Sequence, residues 1–208
     1  VYLNKGRSYI DTLINDITFY RPIKSILKNY EALPWKHFNA QAQLAELTNP
    51  LGFPIYYRNL GPVQWQITRR FSIKNESNLE EYPFSGGAEN IFAYQDVAYT
   101  RSYLYDFTSE WGDSAKFTFT TFLITDNNPE TEHLRWNDTL RYVQSFKNYY
   151  AYDDGTAEMG YGIYGQGTQN GRVAKSFSTY ETDWLVGVYM YFNRTFQDAN
   201  QKYFRLAV

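Results

Sequence analysis

The chain has no cysteine and only two histidines among its 208 residues. Without cysteine there are no disulfides, thiol nucleophiles or cysteine-based zinc sites, although export remains open because exported proteins need not carry disulfides. The histidines, His37 and His133, have no second His, Cys or carboxylate at a recognised metal spacing, so both are expected to be exposed and incidental. No run approaches the roughly 20 apolar residues of a membrane helix, and no signal-peptide pattern is visible. Neither sign of charge dominates. With 20 basic against 22 acidic residues, no strong field gathers nucleic acid or anionic lipid, and polyanion binding is not expected. A Gly-x-Ser-x-Gly nucleophile turn is also missing, and the glycines of "GYGIYGQGTQNGR" lack dinucleotide spacing and a following helix pattern. Catalysis has no positive support, and the chain is read as a non-enzyme.

What the chain has in quantity is aromatic surface. Aromatics make up 20% of it, 21 Tyr and 15 Phe against two Met, and such residues favour pleated surfaces with one ring face buried. "VQWQITRRFSIKN" alternates from Val63, setting Val63, Trp65 and Ile67 against Gln64, Gln66 and Thr68. "VAYTRSYLYDF", "SAKFTFTTFLIT" and "LRYVQSF" follow the same rule, with Thr121 fitting the apolar side less well. Trp65 and Trp184 lie in such runs and are expected in the core. Residues 17–38 read as strands broken by prolines, with a helix an option over residues 25–30, and 39–52 as a short helix stopped by Asn49 and Pro50. Residues 125–139 read as a polar loop.

Short strands between turn signals predict an all-β fold. An immunoglobulin-like sandwich is assigned to residues 1–147 and a second, partial β unit to residues 148–208. The second unit's strands are placed at "GRVAKSFST", "WLVGVYMYFN" and "KYFRLAV". These are too few to close a sandwich alone. The final "YFRLAV" stops within an alternating run, which reads as a piece of a longer polypeptide.

Chemistry concentrates in "YYAYDDGTAEMGYGIYGQG", residues 149–167. Asp153, Asp154 and Glu158 are candidate ligands for a structural calcium, which takes hard oxygen donors from a glycine-bearing turn. The alternative is a plain turn, because Asp154 followed by Gly155 is a standard turn signal and Asp accepts local backbone hydrogen bonds. Trp111 and Trp136 sit beside turns and are candidate stacking platforms for a glycan. Asn-x-Ser/Thr sequons at Asn75, Asn137 and Asn193 matter only in a glycosylating host.

"NDTLRYVQSFKNYYAYDDGTAEMGYGIYGQGTQNGRVAKSF", with "LVGVYMYFNRT" and "YFRLAV", resembles large exported or cell-envelope proteins of Bacteroidota associated with type IX secretion and gliding motility. The resemblance covers residues 137–208 well and the rest only by general pattern. It implies that an immunoglobulin-like domain precedes a galactose-binding-like jelly roll, here truncated and opened by the "YDDGTAE-GYG" motif. It also implies an extracytoplasmic address in the periplasm, at the outer-membrane surface or secreted. Bacteroidota O-glycans are attached at Asp-Ser/Thr-apolar sites, which makes Thr12, Ser114 and Thr139 candidate acceptors. The function so implied is a non-catalytic structural or protein-binding segment of a large envelope protein, an accessory of the secretion machinery. Its partners would be other envelope or secretion-system proteins. Two alternatives stand beside it: a glycan-binding module with a structural calcium, and an accessory domain of a secreted peptidase whose catalytic part lies outside this chain.

Overall fold

The computed structural model describes residues 16–48, 50–125, 137–156, 162–163, 165–191, 203 and 205–207. Among the described residues seven strands, all paired antiparallel, form two sheets. Strands β1 (Ile17–Phe19), β2 (Leu51–Asn59) and β5 (Asp96–Tyr103) make the first, in the order β1-β2-β5. The second runs β4-β3-β6-β7, from β3 (Trp65–Asn75), β4 (Glu81–Ile91), β6 (Ala115–Thr125) and β7 (Thr139–Phe146). The all-β class is as the composition predicts. No helix among the described residues is long and apolar enough to cross a membrane.

Period-two patterning explains how the sheets face each other. In β2 Leu51, Phe53, Ile55 and Tyr57 are buried while Pro54 and Arg58 are exposed, and in β6 Phe117, Phe119, Thr121 and Leu123 point inward. Thr121 is fully buried because its hydroxyl donates to the Arg70 carbonyl at 3.1 Å, which removes the usual cost of a buried hydroxyl. Phe53 joins the two layers, meeting Phe71 edge-on at 5.4 Å and stacking on Phe119 at 5.6 Å. Each fully buried ring of this kind contributes about 1.5–3 kcal/mol by its removal from water.

A polar bond also crosses between the sheets. Arg69 of β3 is buried, and its guanidinium donates to the Tyr57 hydroxyl at 2.6 Å and to the Gly86 carbonyl at 3.1 Å. It pairs with Glu89 at 2.6 Å and lies 3.8 Å from the Tyr99 ring centroid. A β-bulge at Gly86 and Gly87 makes room for it: the β3–β4 register shifts there, and a Cβ on Gly86 would stand 2.7 Å from that of Arg69 and 2.5 Å from the Phe71 ring.

Strands β2 and β4 escape sequence reading because they contain strand breakers. Pro54 is tolerated since β1 pairs only residues 57–59 of β2, leaving the proline a single neighbour strand, β5. Pro83 is tolerated on β4, an edge strand.

The stretch expected to be strands over residues 17–38 is corrected. After β1 the chain runs irregularly to Pro34, then turns through α1 (Trp35–His37), a π-helical segment (Phe38–Ala42) and α2 (Gln43–Glu46). The expected helix over 39–52 therefore begins four residues earlier, behind Pro34, whose fixed φ of −59° suits a helix entry. Trp35 and Phe38 plug one end of the sandwich, Phe38 lying 4.4 Å from Phe146 and 5.7 Å from Phe107.

After β7 the chain stays against this end. Trp35 donates to the Lys147 carbonyl at 3.1 Å, and Ala32 and Ala151 exchange backbone bonds of 3.3 and 2.8 Å. The strands expected at 171–179 and 184–193 do not appear among the described residues: 171–179 and 184–191 carry no strand and pair to no sheet, and 192–193 lie outside the described residues. Residues 200–208 are described only at 203 and 205–207, which belong to no strand.

Candidate functional site

The chemistry converges where residues 28–46 and 147–152 meet a returning segment, residues 175–183. Tyr30, Tyr150 and Tyr152 form one ring cluster, Tyr30 lying 5.0 Å from Tyr150 and 4.7 Å from Tyr152, the latter pair stacked. Isolated bridging of Ala151 to Ala32 sets this arrangement. Adjacent residues of an extended chain point to opposite sides, so Tyr150 and Tyr152 share one side flanking Tyr30.

The three hydroxyls grip backbone at every second residue of the returning segment. Tyr152 donates to the Ser176 carbonyl at 2.9 Å. Tyr30 donates to the Ser178 carbonyl at 2.8 Å and accepts the Ser178 N–H at 2.9 Å. Tyr150 accepts the Tyr180 N–H at 3.0 Å. Residues 176, 178 and 180 repeat with strand period, so phenol groups here do the work of a neighbouring strand.

Side chains complete the hold. Lys175 Nζ stands 3.7 Å from the Tyr152 centroid, and the Phe177 ring lies 4.9 Å from it. The Tyr180 hydroxyl donates to Glu46, a buried carboxylate that also accepts Asn29 N–H and Nδ2 at 2.9 and 3.1 Å. His37 is 1% exposed and uses both ring nitrogens: Nδ1 lies 2.6 Å from the Tyr150 hydroxyl and Nε2 lies 3.1 Å from Asp183 Oδ2. Because Tyr150 already accepts from Tyr180, its own proton satisfies Nδ1, and Nε2–H donates to Asp183. That assignment leaves every group in the relay bonded.

Burial sets the electrostatics. Loss of solvent, reinforced by the Tyr152 hydroxyl, pushes Tyr30 up to about 12; loss of solvent and the Glu46 bond push Tyr180 to about 12 as well. Desolvation likewise raises Tyr150. Asp183 is held below the ordinary carboxylate value, first by the Trp184 N–H and then by His37. The shifts run in the direction the hydrogen bonds favour, holding the protons of Tyr30, Tyr150 and Tyr180 and the charge of Asp183 more firmly.

The expectation of an exposed, incidental His37 is thus corrected. Its partners lie 113 and 146 residues away, so no local spacing signals them. His133 lies outside the described residues.

The candidate calcium ligands are only partly placed. Asp153 accepts the Gly155 N–H at 3.0 Å, and Asp154 accepts the Thr156 N–H and hydroxyl at 2.9 and 2.6 Å. Both carboxylates are engaged in local turns, and Gly155 has the positive φ, 92°, that such a turn needs. Glu158 lies outside the described residues. Among the described residues no three His, Cys, Asp or Glu side chains gather as a metal site.

Trp111 is half-exposed at a turn, its N–H bonded to Ser109 Oγ at 3.2 Å, and Trp136 is outside the described residues. Of the candidate O-glycan acceptors, Thr139 is exposed and Ser114 half-buried, while Thr12 is not described. Asn75 is buried, donating to the Thr108 carbonyl at 3.0 Å and accepting from Ser77, so that sequon is structural. Asn137 donates to Asp16 at 2.8 Å, and Asn193 is not described.

Beyond Asp183 the chain changes character. "WLVGVYMY", residues 184–191, belongs to no sheet among the described residues and is exposed throughout. Trp184, expected in the core, is 90% exposed, and Val186 and Tyr189 are exposed at 93% and 100%. The alternation of apolar residues was legible, but its burial depends on a neighbour that the described residues do not provide. No protein-family model, curated protein or solved structure matches the chain.

Proposed function

We propose that the chain is a non-catalytic, protein-binding segment of a large bacterial envelope protein. Its partner is another envelope or type IX secretion component, a placement that rests on the resemblance of residues 137–208. The observation that carries the binding role is the bare run 184–191, whose β-branched and aromatic residues suit a strand while none of its backbone enters a ladder among the described residues. Such a run gains hydrogen bonds and apolar cover by adding to a partner's sheet edge.

The strand order supports the immunoglobulin-like reading of the preceding unit. Strands 1-2-5 facing 4-3-6-7 correspond to the constant-type arrangement with the fourth strand moved to the other sheet. The jelly-roll assignment of the second unit rests on the resemblance carried by residues 137–208. An extracytoplasmic address and O-glycans at Thr139 and Ser114 belong to the same proposal.

The test is affinity purification of the tagged full-length protein from its host, as wild type and as Val186→Lys. A charge at residue 186 leaves the sandwich untouched but opposes strand addition. We expect an envelope or secretion component with the wild type and at least a severalfold loss in the variant. Absence of such a component, or its equal retention by the variant, rejects the proposal.

A further inference from the structure

We propose that the Tyr30, Tyr150 and Tyr152 cradle is a peptide-binding site, closed in this chain by its own residues 175–183, whose ligand in trans is the same segment of a second copy. The inference goes beyond the binding role of residues 184–191, since it concerns a different surface and a different ligand.

The cradle reads an extended backbone with a definite pattern. Three phenols take main-chain groups at residues 176, 178 and 180, which demands extended conformation but no particular side chain. Selectivity comes from the flanks. Glu46 accepts a hydroxyl from the residue at 180, His37 donates to a carboxylate at 183, and the Tyr152 face takes a cation at 175. The ligand class is therefore an extended Lys-x-x-x-x-Tyr-x-x-Asp peptide. Every copy of this chain carries that sequence.

The mode of attachment makes the segment exchangeable. Among the described residues, 171–179 enter no β-ladder, so leaving the cradle breaks phenol and side-chain bonds and leaves both sheets intact. The segment follows a glycine-bearing stretch in which Gly165 and Gly167 have φ of 126° and 85°, conformations that cost glycine little. Exchange of an identical element between copies is a low-cost route to association.

The test opens the cradle in the full chain. Ser178→Pro deletes the N–H that Tyr30 accepts, on a segment outside both sheets, and frees the site. A labelled synthetic peptide of residues 175–184 is titrated into this variant and into wild type, where the tethered segment competes at an effective concentration of order millimolar. We expect binding to Ser178→Pro at least about tenfold tighter than to wild type, and loss of that gain when Tyr30→Phe is added. Equal binding to wild type and Ser178→Pro, binding to neither, or indifference to Tyr30→Phe overturns the site.

The second copy as ligand is tested by sedimentation of a mixture. Tyr30→Phe chains have a weakened cradle and an intact segment, and Ser178→Pro chains the reverse, so the mixture should form dimers that neither variant forms alone. Peptide binding without a mixed dimer overturns the second copy as the source. Circular dichroism of each variant establishes that the sandwich is folded, and Tyr30→Phe keeps the ring that packs there.

Discussion

Arg69 and Glu89 share one ion pair but not one environment. The arginine side chain is 4% exposed and the glutamate 35%, so removing either partner leaves a different residue behind. With Glu89→Gln the guanidinium stays buried between the sheets without a counter-charge, although Tyr57, Gly86 and Tyr99 still touch it. With Arg69→Met the stem volume is kept and the carboxylate has solvent to turn toward. We expect a loss of about 3 kcal/mol for Glu89→Gln, at the lower end for a broken buried pair, and about 1 kcal/mol for Arg69→Met. Urea unfolding checks the order, and a larger loss in Arg69→Met than in Glu89→Gln rejects this account. Nothing in "TRRFS" distinguishes buried Arg69 from exposed Arg70 except alternation, which puts Arg69 on the side of Ile67 and Phe71. The period was legible, but the partners that make burial tolerable, on β2, β4 and β5, were not.

At the scale of elements, alternation was readable wherever the backbone was regular on its own terms. The β3, β5, β6 and β7 strands lie along the runs that period two marks, although Val63 precedes β3 and residues 104–107 follow β5. By contrast, β2 and β4 owe their strands to neighbours that tolerate Pro54 and Pro83, a tertiary effect that local propensity does not contain. The run 184–191 is the converse case, with strong strand composition and no neighbour strand among the described residues. Hydrogen exchange separates the two. Backbone amides of β3 and β6, each paired on both sides, should be protected up to global unfolding, whereas those of 184–191 should exchange without measurable delay. Strong protection over 184–191 in the isolated protein would show that the run already has a strand neighbour and would remove the basis for its binding role.

For the molecule as a whole, the closing contacts join residues far apart in the chain, such as Tyr30 with Ser178 and Glu46 with Tyr180. The turn of Asp153 and Asp154 could be read from sequence because its bonds span two residues. The cradle could not, since its members are scattered over three stretches of chain and become a site only when β7 brings Lys147 and Ala151 back to residues 31–35. This design ties stability to phenol protonation. Tyr30, Tyr142 and Tyr180 rise from 10.0 to about 12, each chiefly through desolvation. Below pH 10 folded and unfolded chains both hold these protons, so the contribution is present in full. Between pH 10 and 12 the unfolded chain gives them up first, the proton balance favours unfolding, and stability falls as pH rises. Urea midpoints should therefore decline across that window, with late tyrosinate absorbance appearing alongside loss of near-ultraviolet circular dichroism. Tyr30→Phe, with one titrating phenol fewer in the cradle, should show a shallower decline from a lower starting stability. A midpoint constant to pH 12, or an unchanged slope in Tyr30→Phe, would mean that the Tyr30 and Tyr180 hydroxyls do not hold the segment to the sandwich.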